Sequence, residues 1–350
     1  MISHRERLAL AASFADLRRP VAEAVTEEFF RRHPDWVDRY GEPGRARAIE
    51  DAQYHLDFLS SALIAGEPQA FADYVRWARR VLEARGIAAG FLRENLMQIS
   101  EALASRLGPG KPAVEAVVHA GLLACDEPPG TIHPHRPEDE LAAERGLYLQ
   151  AILHGQRNAA TGIVLEAHRA GHPLLDLYLK ILQPAQYEVG RLWESNAITV
   201  AEEHMATAIT QSVMAQLYPL LPQEQPCYGR LVLTGVQGEL HQLGGHMVAD
   251  VLEARGWEVW FLGTNLPHAG ILRVIEEQRP DAVGISATML FSLPKVRDLI
   301  DSIRALPGPR RRIVVGGAAF RAAPGAFREI GADACGLDLE QAIAILCGET

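Results

Sequence analysis

The chain has 350 residues, a formal net charge of -10 and 48% hydrophobic residues. This length allows two or three domains, and the acidic balance argues against nucleic acid as a partner, because a nucleic-acid reader needs a basic face. Four scattered cysteines without a C-x-x-C pair argue against a disulfide framework or a zinc site, and the absence of a signal peptide or a long apolar run predicts a cytoplasmic protein with no membrane span.

The first 125 residues have the apolar periodicity of helices, and no strand pattern interrupts it. The predicted helices span 3–15, 20–33, 45–65, 68–85, 90–107 and 112–124. Six such helices predict an all-α domain of about globin size. No compact basic recognition helix is visible, so a helix-turn-helix DNA reader is not expected in residues 1–125.

The middle of the chain contains a linker and a second helical segment. Residues 126–138 are rich in proline and polar residues, which predicts a linker. Residues 139–222 then predict an all-helical bundle, with helices over 147–153, 158–170, 173–187 and 199–220. Thr199, with Glu202 three residues later, predicts a capping box at the start of the last of these helices.

Residues 223–350 alternate short apolar runs with helical periodicity. The predicted strands span 231–234, 259–262, 282–286, 313–315 and 332–336. The predicted helices begin near Met247 and span 271–277, 295–306, 325–330 and 339–346 in the later repeats. Strands that alternate with helices predict a doubly wound parallel sheet of the flavodoxin-like type, in which ligands bind at the carboxyl ends of the strands.

Three short motifs follow predicted strands at fixed distances. The first is Glu239-Leu240-His241-Gln242-Leu243-Gly244; after 41 further residues comes Ser286-Ala287-Thr288, and after 27 more comes Gly316-Gly317. Each motif alone is weak, and a loop histidine in an ordinary flavodoxin-like domain is the plainer alternative. In register, they resemble the cobalamin-binding domain shared by methionine synthase, the coenzyme-B12 mutases and cobalamin photoreceptors.

This resemblance implies roles for the motif residues. His241 would replace the cofactor's own dimethylbenzimidazole as the lower axial ligand of cobalt, and neutral imidazole is a common nitrogen ligand for such metals. Gly316-Gly317 would allow close backbone approach of the freed nucleotide tail, and Ser286 and Thr288 would hydrogen-bond along it. Glu239 stands where most of the family has aspartate, and it would accept the other ring N–H of the histidine.

The helical bundle carries a further motif, in which Trp193 is followed after nine residues by Glu203-His204. This spacing resembles the helical cap of light-responsive cobalamin repressors, in which these residues cover the upper face of the cofactor and hold a 5′-deoxyadenosyl group. The resemblance implies adenosylcobalamin as the cofactor and photolysis of its Co–C bond as the sensing event. In those repressors a histidine after the tryptophan captures cobalt, whereas this chain has Glu194, so His204 or water are the alternatives for that role.

The order of the predicted domains over the whole chain resembles the photocobilins. In that family, a pseudo-globin-like helical domain that binds biliverdin precedes the helical cap and the cobalamin domain. The resemblance implies a biliverdin-binding domain over 1–125, a cap over 139–222 and a cobalamin domain over 223–350. It also implies a homo-oligomer that rearranges with light and passes its signal to a separate partner.

A biliverdin pocket needs an apolar slot with aromatic walls, cationic partners for two propionates and an acceptor for the pyrrole N–H groups. Tyr74, Arg76 and Arg80 on helix 68–85 meet part of this need, as does His55 on helix 45–65. Arginine suits carboxylates because it pairs with them through two hydrogen bonds. The alternative for each residue is core packing or a solvated face, and the scarcity of cysteine in this half favours non-covalent binding.

Two other functions stay open at this point. One is a corrinoid protein that carries methyl groups between methyltransferases, against which Trp193, Glu203-His204 and Glu239 argue. The other is a globin-like haem sensor with His55 as the proximal ligand. No Walker loop, Ser/His/Asp set or metal-carboxylate cluster is visible in the sequence, so no turnover of its own is expected.

Overall fold

The computed structural model describes residues 3–128, 139–222 and 228–348. It is mostly helical, with one parallel sheet of five strands. A helix extends to Asp126, the first residue of the predicted linker over 126–138, and residues 129–138 of that linker lie outside the described residues. Within the described ranges, no helix combines the length and the apolar character that crossing a membrane requires.

The N-terminal half contains five α-helices within the described residues: α1 His4–Arg32, α2 Pro34–Ala65, α3 Pro68–Glu83, α4 Ala89–Ala104 and α5 Lys111–Asp126. The prediction of six helices is therefore wrong, because α1 continues through Pro20. Proline removes one backbone donor, but the buried residues Phe14, Val21 and Val25 form one apolar surface on both sides of it, and their burial stabilises the unbroken helix. A kink at Gly41, where φ is 57°, lets α2 begin earlier than predicted.

The bundle consists of α6 Ala142–Leu153, α7 Arg157–Arg169, α8 Leu174–Asp176, α9 Gln183–Glu194 and α10 Val200–Leu217. A π-helical turn, Leu177–Leu182, joins α8 to α9. The predicted helix end at residue 187 is wrong, because α9 continues through Gly190 to Glu194. Val189 in this last part of α9 is buried, and its burial stabilises the extension. The capping box is confirmed: the Glu202 N–H donates to Thr199 Oγ1 at 3.3 Å, and the Thr199 N–H donates to Glu202 Oε2 at 2.7 Å.

The predicted parallel sheet is confirmed. Its strands are β1 Gly229–Gly235, β2 Trp257–Gly263, β3 Ala282–Ser286, β4 Arg312–Gly316 and β5 Ala334–Gly336, and their order is β2-β1-β3-β4-β5. The helices between and after them are α11 Leu243–Ala254, α12 His268–Gln278, α13 Leu293–Ala305, α14 Ala318–Ala322, α15 Ala326–Glu329 and α16 Leu339–Cys347. The sequence reading missed α14 and overestimated both α15 and β5, because elements of three to five residues are too short to show a period.

The three segments pack closely against one another. The N-terminal helices share a continuous apolar core with one face of the sheet, where α2 packs against α13 and against the 3-10 turn Leu290–Ser292. The bundle core takes in Met247 and Ala254 from α11 on the opposite side. A buried hydrogen bond of 2.8 Å from Tyr178 Oη to Asp250 Oδ2 also joins the bundle to α11. The sheet is thereby fixed against both helical segments.

Candidate functional site

The loop between β1 and α11 carries His241 at the carboxyl edge of the sheet. Two contacts hold the start of this loop, one from the loop after β2 and one from α13. The Gly238 N–H donates to Asn265 Oδ1 at 2.9 Å, and Lys295 Nζ donates to the Gln237 carbonyl oxygen at 2.9 Å. The sequence reading missed Asn265 and Lys295, although both follow strands at the edge where ligands of this fold bind.

The Glu239 carboxylate is fully buried behind His241, and both of its oxygens accept hydrogen bonds. Oε1 accepts from His241 Nδ1 at 2.7 Å and from the His241 N–H at 3.0 Å. Oε2 accepts from the Thr288 N–H at 2.8 Å, the Met289 N–H at 3.2 Å and Ser292 Oγ at 3.4 Å. The carboxylate therefore joins the His241 loop to the segment after β3, with its burial compensated by hydrogen bonds.

The electrostatics of this pair fix which ring nitrogen is free. Burial raises the pKa of Glu239, but the hydrogen bonds from His241 and Thr288 outweigh it, so the pKa lies below its ordinary value. The bond to Glu239 raises the pKa of His241. A carboxylate only accepts hydrogen bonds, so Nδ1 carries the proton and Nε2 of the neutral ring is free to bind a metal. The His241 side chain is 57% exposed, so its ring is accessible at the edge.

Ser286 and the glycine pair lie beside this loop. Ser286 is the register partner of Gly316, and the Ala287 N–H donates to the Gly316 carbonyl oxygen at 2.9 Å. Gly317 has a φ of 105°, and a Cβ there would collide with the Ala287 carbonyl oxygen, so the backbone itself requires glycine at this position. A Cβ at Gly244 would meet no atom within 4 Å, which leaves open space next to His241.

The bundle residues of the W-x9-EH motif lie at two places. Glu203 is close enough to His241 to help raise the pKa of that histidine, so the start of α10 faces the same edge. His204 is 74% exposed at its side chain, and its Nδ1 lies 2.8 Å from the Val200 carbonyl oxygen and 2.7 Å from Glu203 Oε2. The Trp193 ring instead lies 6.4 Å from the Trp77 ring of α3.

The N-terminal candidates divide into two sets. His55 and Tyr74 lie together in the core, with His55 Nδ1 at 2.7 Å from Tyr74 Oη, and burial lowers the pKa of His55 to about 4. Arg76 and Arg80 lie apart from this pair and form ion pairs with other helices. Arg76 pairs with Glu127, directly after α5, and Arg80 pairs with Glu194 at the end of α9. Arg76 donates twice to Glu127 at 2.6 and 2.7 Å, and Arg80 donates to Glu194 at 2.5 Å.

The residues at the carboxyl edge fit a corrinoid. A corrin ring supplies the four equatorial nitrogens of its cobalt, so the protein needs to add one neutral imidazole and space for a flat macrocycle. His241 provides an accessible Nε2, Glu239 orients it, and the open space at Gly244 gives room beside it. His241 is thus suited to supply the one nitrogen that the cobalt of a corrin ring would take from the protein.

Comparison with known proteins agrees with this geometry. Residues 229–346 match one family model described as a B12 binding domain, and residues 146–218 match a second model with the same description. The two matched ranges contain the β1–α16 segment with His241 and the bundle segment with Trp193 and Glu203. Both parts of the candidate site are thus within matched regions.

Several characterised proteins align with this chain. Dimethylamine corrinoid protein 3 of Methanosarcina acetivorans is 30% identical over 206 residues, which are 56% of this chain and 95% of that protein. The HTH-type transcriptional repressor CarH of Myxococcus xanthus is 30% identical over 45% of this chain and 52% of its own length. Methionine synthase of Mycobacterium tuberculosis is 28% identical over 52% of this chain but only 16% of its own length.

A solved structure shares the fold. The Methanosarcina barkeri monomethylamine corrinoid protein superposes with a TM-score of 0.51 and 24% identity, over 58% of this chain and 96% of that one. This likeness concerns the fold of the bundle and sheet segments. Together with the family models and the aligned relatives, it shows that the chain belongs to the family of B12 binding domain proteins and is a corrinoid-binding protein.

Proposed function

We propose that this protein is a light sensor that binds adenosylcobalamin with His241 as the lower axial ligand of cobalt. The observation that carries the proposal is the pairing of two features at one edge. His241 is oriented by a buried carboxylate with its Nε2 free, and Glu203 of the W-x9-EH motif faces it from the bundle. The cofactor, when bound, supplies a cobalt–carbon bond that visible light breaks.

The residues of this chain have distinct roles in the proposal. Glu239 keeps the proton on Nδ1 of His241 and so presents Nε2. Gly316 and Gly317 allow the nucleotide tail to approach the backbone beside Ser286 and Thr288. The Thr288 N–H is already used by Glu239, so the hydroxyl is the donor that Thr288 has left for the tail. On the other side, Trp193, Glu203 and His204 would cover the upper face of the cofactor.

Biliverdin is proposed as the second chromophore, held by the globin-like helices of residues 1–125. His55 and Tyr74 form a hydrogen-bonded pair against Phe58, whose ring stacks 3.6 Å from that of Tyr74. Arg76 and Arg80 would have to leave Glu127 and Glu194 to reach the propionates, so binding would exchange one set of ion pairs for another. The proposal also divides the chain into the biliverdin-binding domain at 1–125, a linker at 126–138, the cap at 139–222 and the cobalamin domain at 223–350.

The signal is proposed to leave the protein through a change in assembly. A homo-oligomer that rearranges with light would act on a separate partner in the cytoplasm, with no nucleic acid or membrane involved. The protein would have no turnover of its own. The upper ligand of cobalt after illumination would be His204 or water rather than Glu194, whose carboxylate is bound to Arg80.

A second candidate function is a corrinoid protein that carries methyl groups for a methyltransferase system. It is favoured by the alignment with dimethylamine corrinoid protein 3 over 95% of that protein's length. It leaves the five N-terminal helices without a role, since the aligned region covers only 56% of this chain. A haem sensor with His55 as the proximal ligand is the remaining alternative, and burial keeps that imidazole neutral as a haem ligand must be.

The test is the absorption spectrum of the protein reconstituted in the dark with adenosylcobalamin and biliverdin, before and after green light. We expect a cobalamin band that shifts on illumination and a separate red bilin band. A light-shifted cobalamin band without bilin uptake would keep the sensor and remove the second chromophore. Stable binding of methylcobalamin alone, with no light-dependent change in assembly, would favour the methyl carrier, and an iron Soret band would favour the haem sensor.

A further inference from the structure

A cluster of contacts joins α3 to the end of α9, and cobalamin binding does not by itself explain it. We call it the α3–α9 contact; its residues are Trp77, Arg80, Arg85, Trp193 and Glu194. Arg80 Nε donates to Glu194 Oε1 at 2.5 Å. The Arg85 guanidinium lies 5.1 Å from the centre of the Trp193 ring and donates to the carbonyl oxygens of Trp193 and Glu194 at 3.2 and 3.3 Å.

The contact is partly desolvated, which gives it more effect than a surface ion pair has. The side chains of Glu194 and Arg80 are 13% and 29% exposed. Charges withdrawn from water interact through a lower effective dielectric, and a cation over an indole ring adds a further attraction. The Trp77 ring covers Trp193 at 6.4 Å with an interplanar angle of 28°. Five separate contacts therefore hold one short segment.

The segment that these contacts hold, residues 193–194, leads through a short turn into α10. α9 ends at Glu194, Asn196 turns the chain with a φ of 58°, and Thr199 caps α10, which carries Glu203 in its first turn. Any displacement of the segment at Trp193 must be absorbed in these few residues. The α3–α9 contact therefore holds Trp193, the first residue of the W-x9-EH motif, whereas Glu203 and His204 stand on α10, which packs against α6, α7 and α9.

The same N-terminal helices also reach the opposite side of the site. The Phe58 ring of α2 stacks on Tyr74 of α3 at 3.6 Å and lies 5.4 Å from the Phe291 ring. Phe291 follows Met289, whose N–H holds Glu239 behind His241. The N-terminal helices thus contact both the segment that holds Glu239 behind His241 and the segment that carries Trp193.

We infer that, in the protein without biliverdin, Arg80 and Arg85 are positioning residues that fix Trp193 and Glu194 from the N-terminal helices, and that they couple the group on the upper face of the cofactor to those helices. In this arrangement Glu194 anchors the end of α9 to Arg80 of α3 and is not a cobalt ligand. The inference rests on the proposed function, because it takes the Trp193 segment as the cover of the upper face.

The experiment compares the wild type with Arg80→Gln, Glu194→Gln and the double variant. Arg19→Gln is the matched control, since it removes an Arg–Glu pair of 2.8 Å that lies within α1 alone. Dissociation constants are measured in the dark for adenosylcobalamin and for hydroxocobalamin, which has no bulky upper group. Hydrogen exchange of the segment 190–198 is measured in the protein without cofactor.

We expect Arg80→Gln to weaken adenosylcobalamin binding about fivefold, as for the loss of ~1 kcal/mol of a partly buried pair, and to change hydroxocobalamin binding less than about twofold. Exchange in 190–198 should rise by a similar factor, and the double variant should match the single ones because both remove one interaction. Equal effects on the two cobalamins, additive effects of the two substitutions, or unchanged exchange would overturn the inference.

The inference and the proposed function fail in distinguishable ways. If His241→Ala leaves the binding of both cobalamins unchanged, the proposed lower ligand is wrong, whatever Arg80 does. If His241→Ala abolishes ligation while Arg80→Gln alters neither the preference between the two cobalamins nor the exchange, only the positioning role is wrong. The exchange measurement needs no cofactor, so it tests the α3–α9 contact even if binding is lost.

Discussion

Replacing Glu239 with glutamine should both destabilise the chain and impair the lower ligand. The carboxylate accepts five hydrogen bonds, and a glutamine amide offers one acceptor oxygen and one NH2 group. If the NH2 faces Thr288 and Met289, two buried backbone donors lose their acceptor. If it faces His241, the ring is driven to the tautomer with a proton on Nε2, which cannot bind cobalt.

The magnitude follows from the number of donors left without a partner. Each unsatisfied buried donor costs about 1–3 kcal/mol, and either orientation of the glutamine leaves at least one or two of them. We expect Glu239→Gln to lower the free energy of unfolding by about 3 kcal/mol in urea titrations of the cofactor-free protein, with the slope against urea unchanged. Adenosylcobalamin binding at His241 should weaken at least tenfold.

Two further variants separate charge from general damage. Glu239→Asp keeps the charge and both acceptor oxygens, so it should retain most of the binding. Glu253→Gln is the matched control, because its carboxylate accepts a single exposed hydrogen bond from Tyr218, and it should cost less than about 1 kcal/mol. A Glu239→Gln protein as stable as the control, with normal cobalamin binding, would refute the role assigned to the buried carboxylate.

Three other predictions concern separate parts of the chain. Burial lowers the pKa of His55 in the folded protein to about 4 from an ordinary 6.5. The free energy of unfolding should therefore fall by up to ~3 kcal/mol as the pH drops from 6.5 toward 4. His55→Gln should remove this pH dependence in urea titrations at several pH values. Gly317→Ala should destabilise the chain by about 3 kcal/mol, because alanine is strained at positive φ and its Cβ would collide with the backbone. Gly244→Ala should change the stability by no more than ~1 kcal/mol and weaken only cobalamin binding. Equal stability of the two variants would contradict this prediction. Tyr178→Phe should cost about 1–3 kcal/mol by removing a donor from the buried Asp250 carboxylate, and thermal unfolding indistinguishable from wild type would show that this bond is unimportant.

The parts of the fold with a clear period were predictable from the sequence. β3 was placed at its observed ends, and α11 and α13 within a few residues, because buried parallel strands and amphipathic helices leave strong apolar patterns. The capping box at Thr199 was also readable, because it depends on two residues three positions apart. Local chemistry therefore determined these elements.

Other features depend on contacts between distant residues, which a sequence pattern does not contain. α1 continues through Pro20 because tertiary packing outweighs the local preference for a break. The role of Thr288 was predicted for its side chain, but its backbone N–H binds Glu239 across 49 residues. The pairing of Arg80 with Glu194 spans 114 residues, and nothing in either local sequence indicates it.

The central claim is that His241 binds the cobalt of the cofactor, and electron paramagnetic resonance of the protein loaded with cob(II)alamin tests it most directly. An axial nitrogen splits the cobalt lines according to its nuclear spin, so protein with ¹⁵N-labelled histidine should change the superhyperfine pattern from a triplet to a doublet. We expect this change in the wild type and its loss in His241→Ala. A triplet that persists in the ¹⁵N-histidine protein would show that the cofactor keeps its own benzimidazole, and would contradict the account.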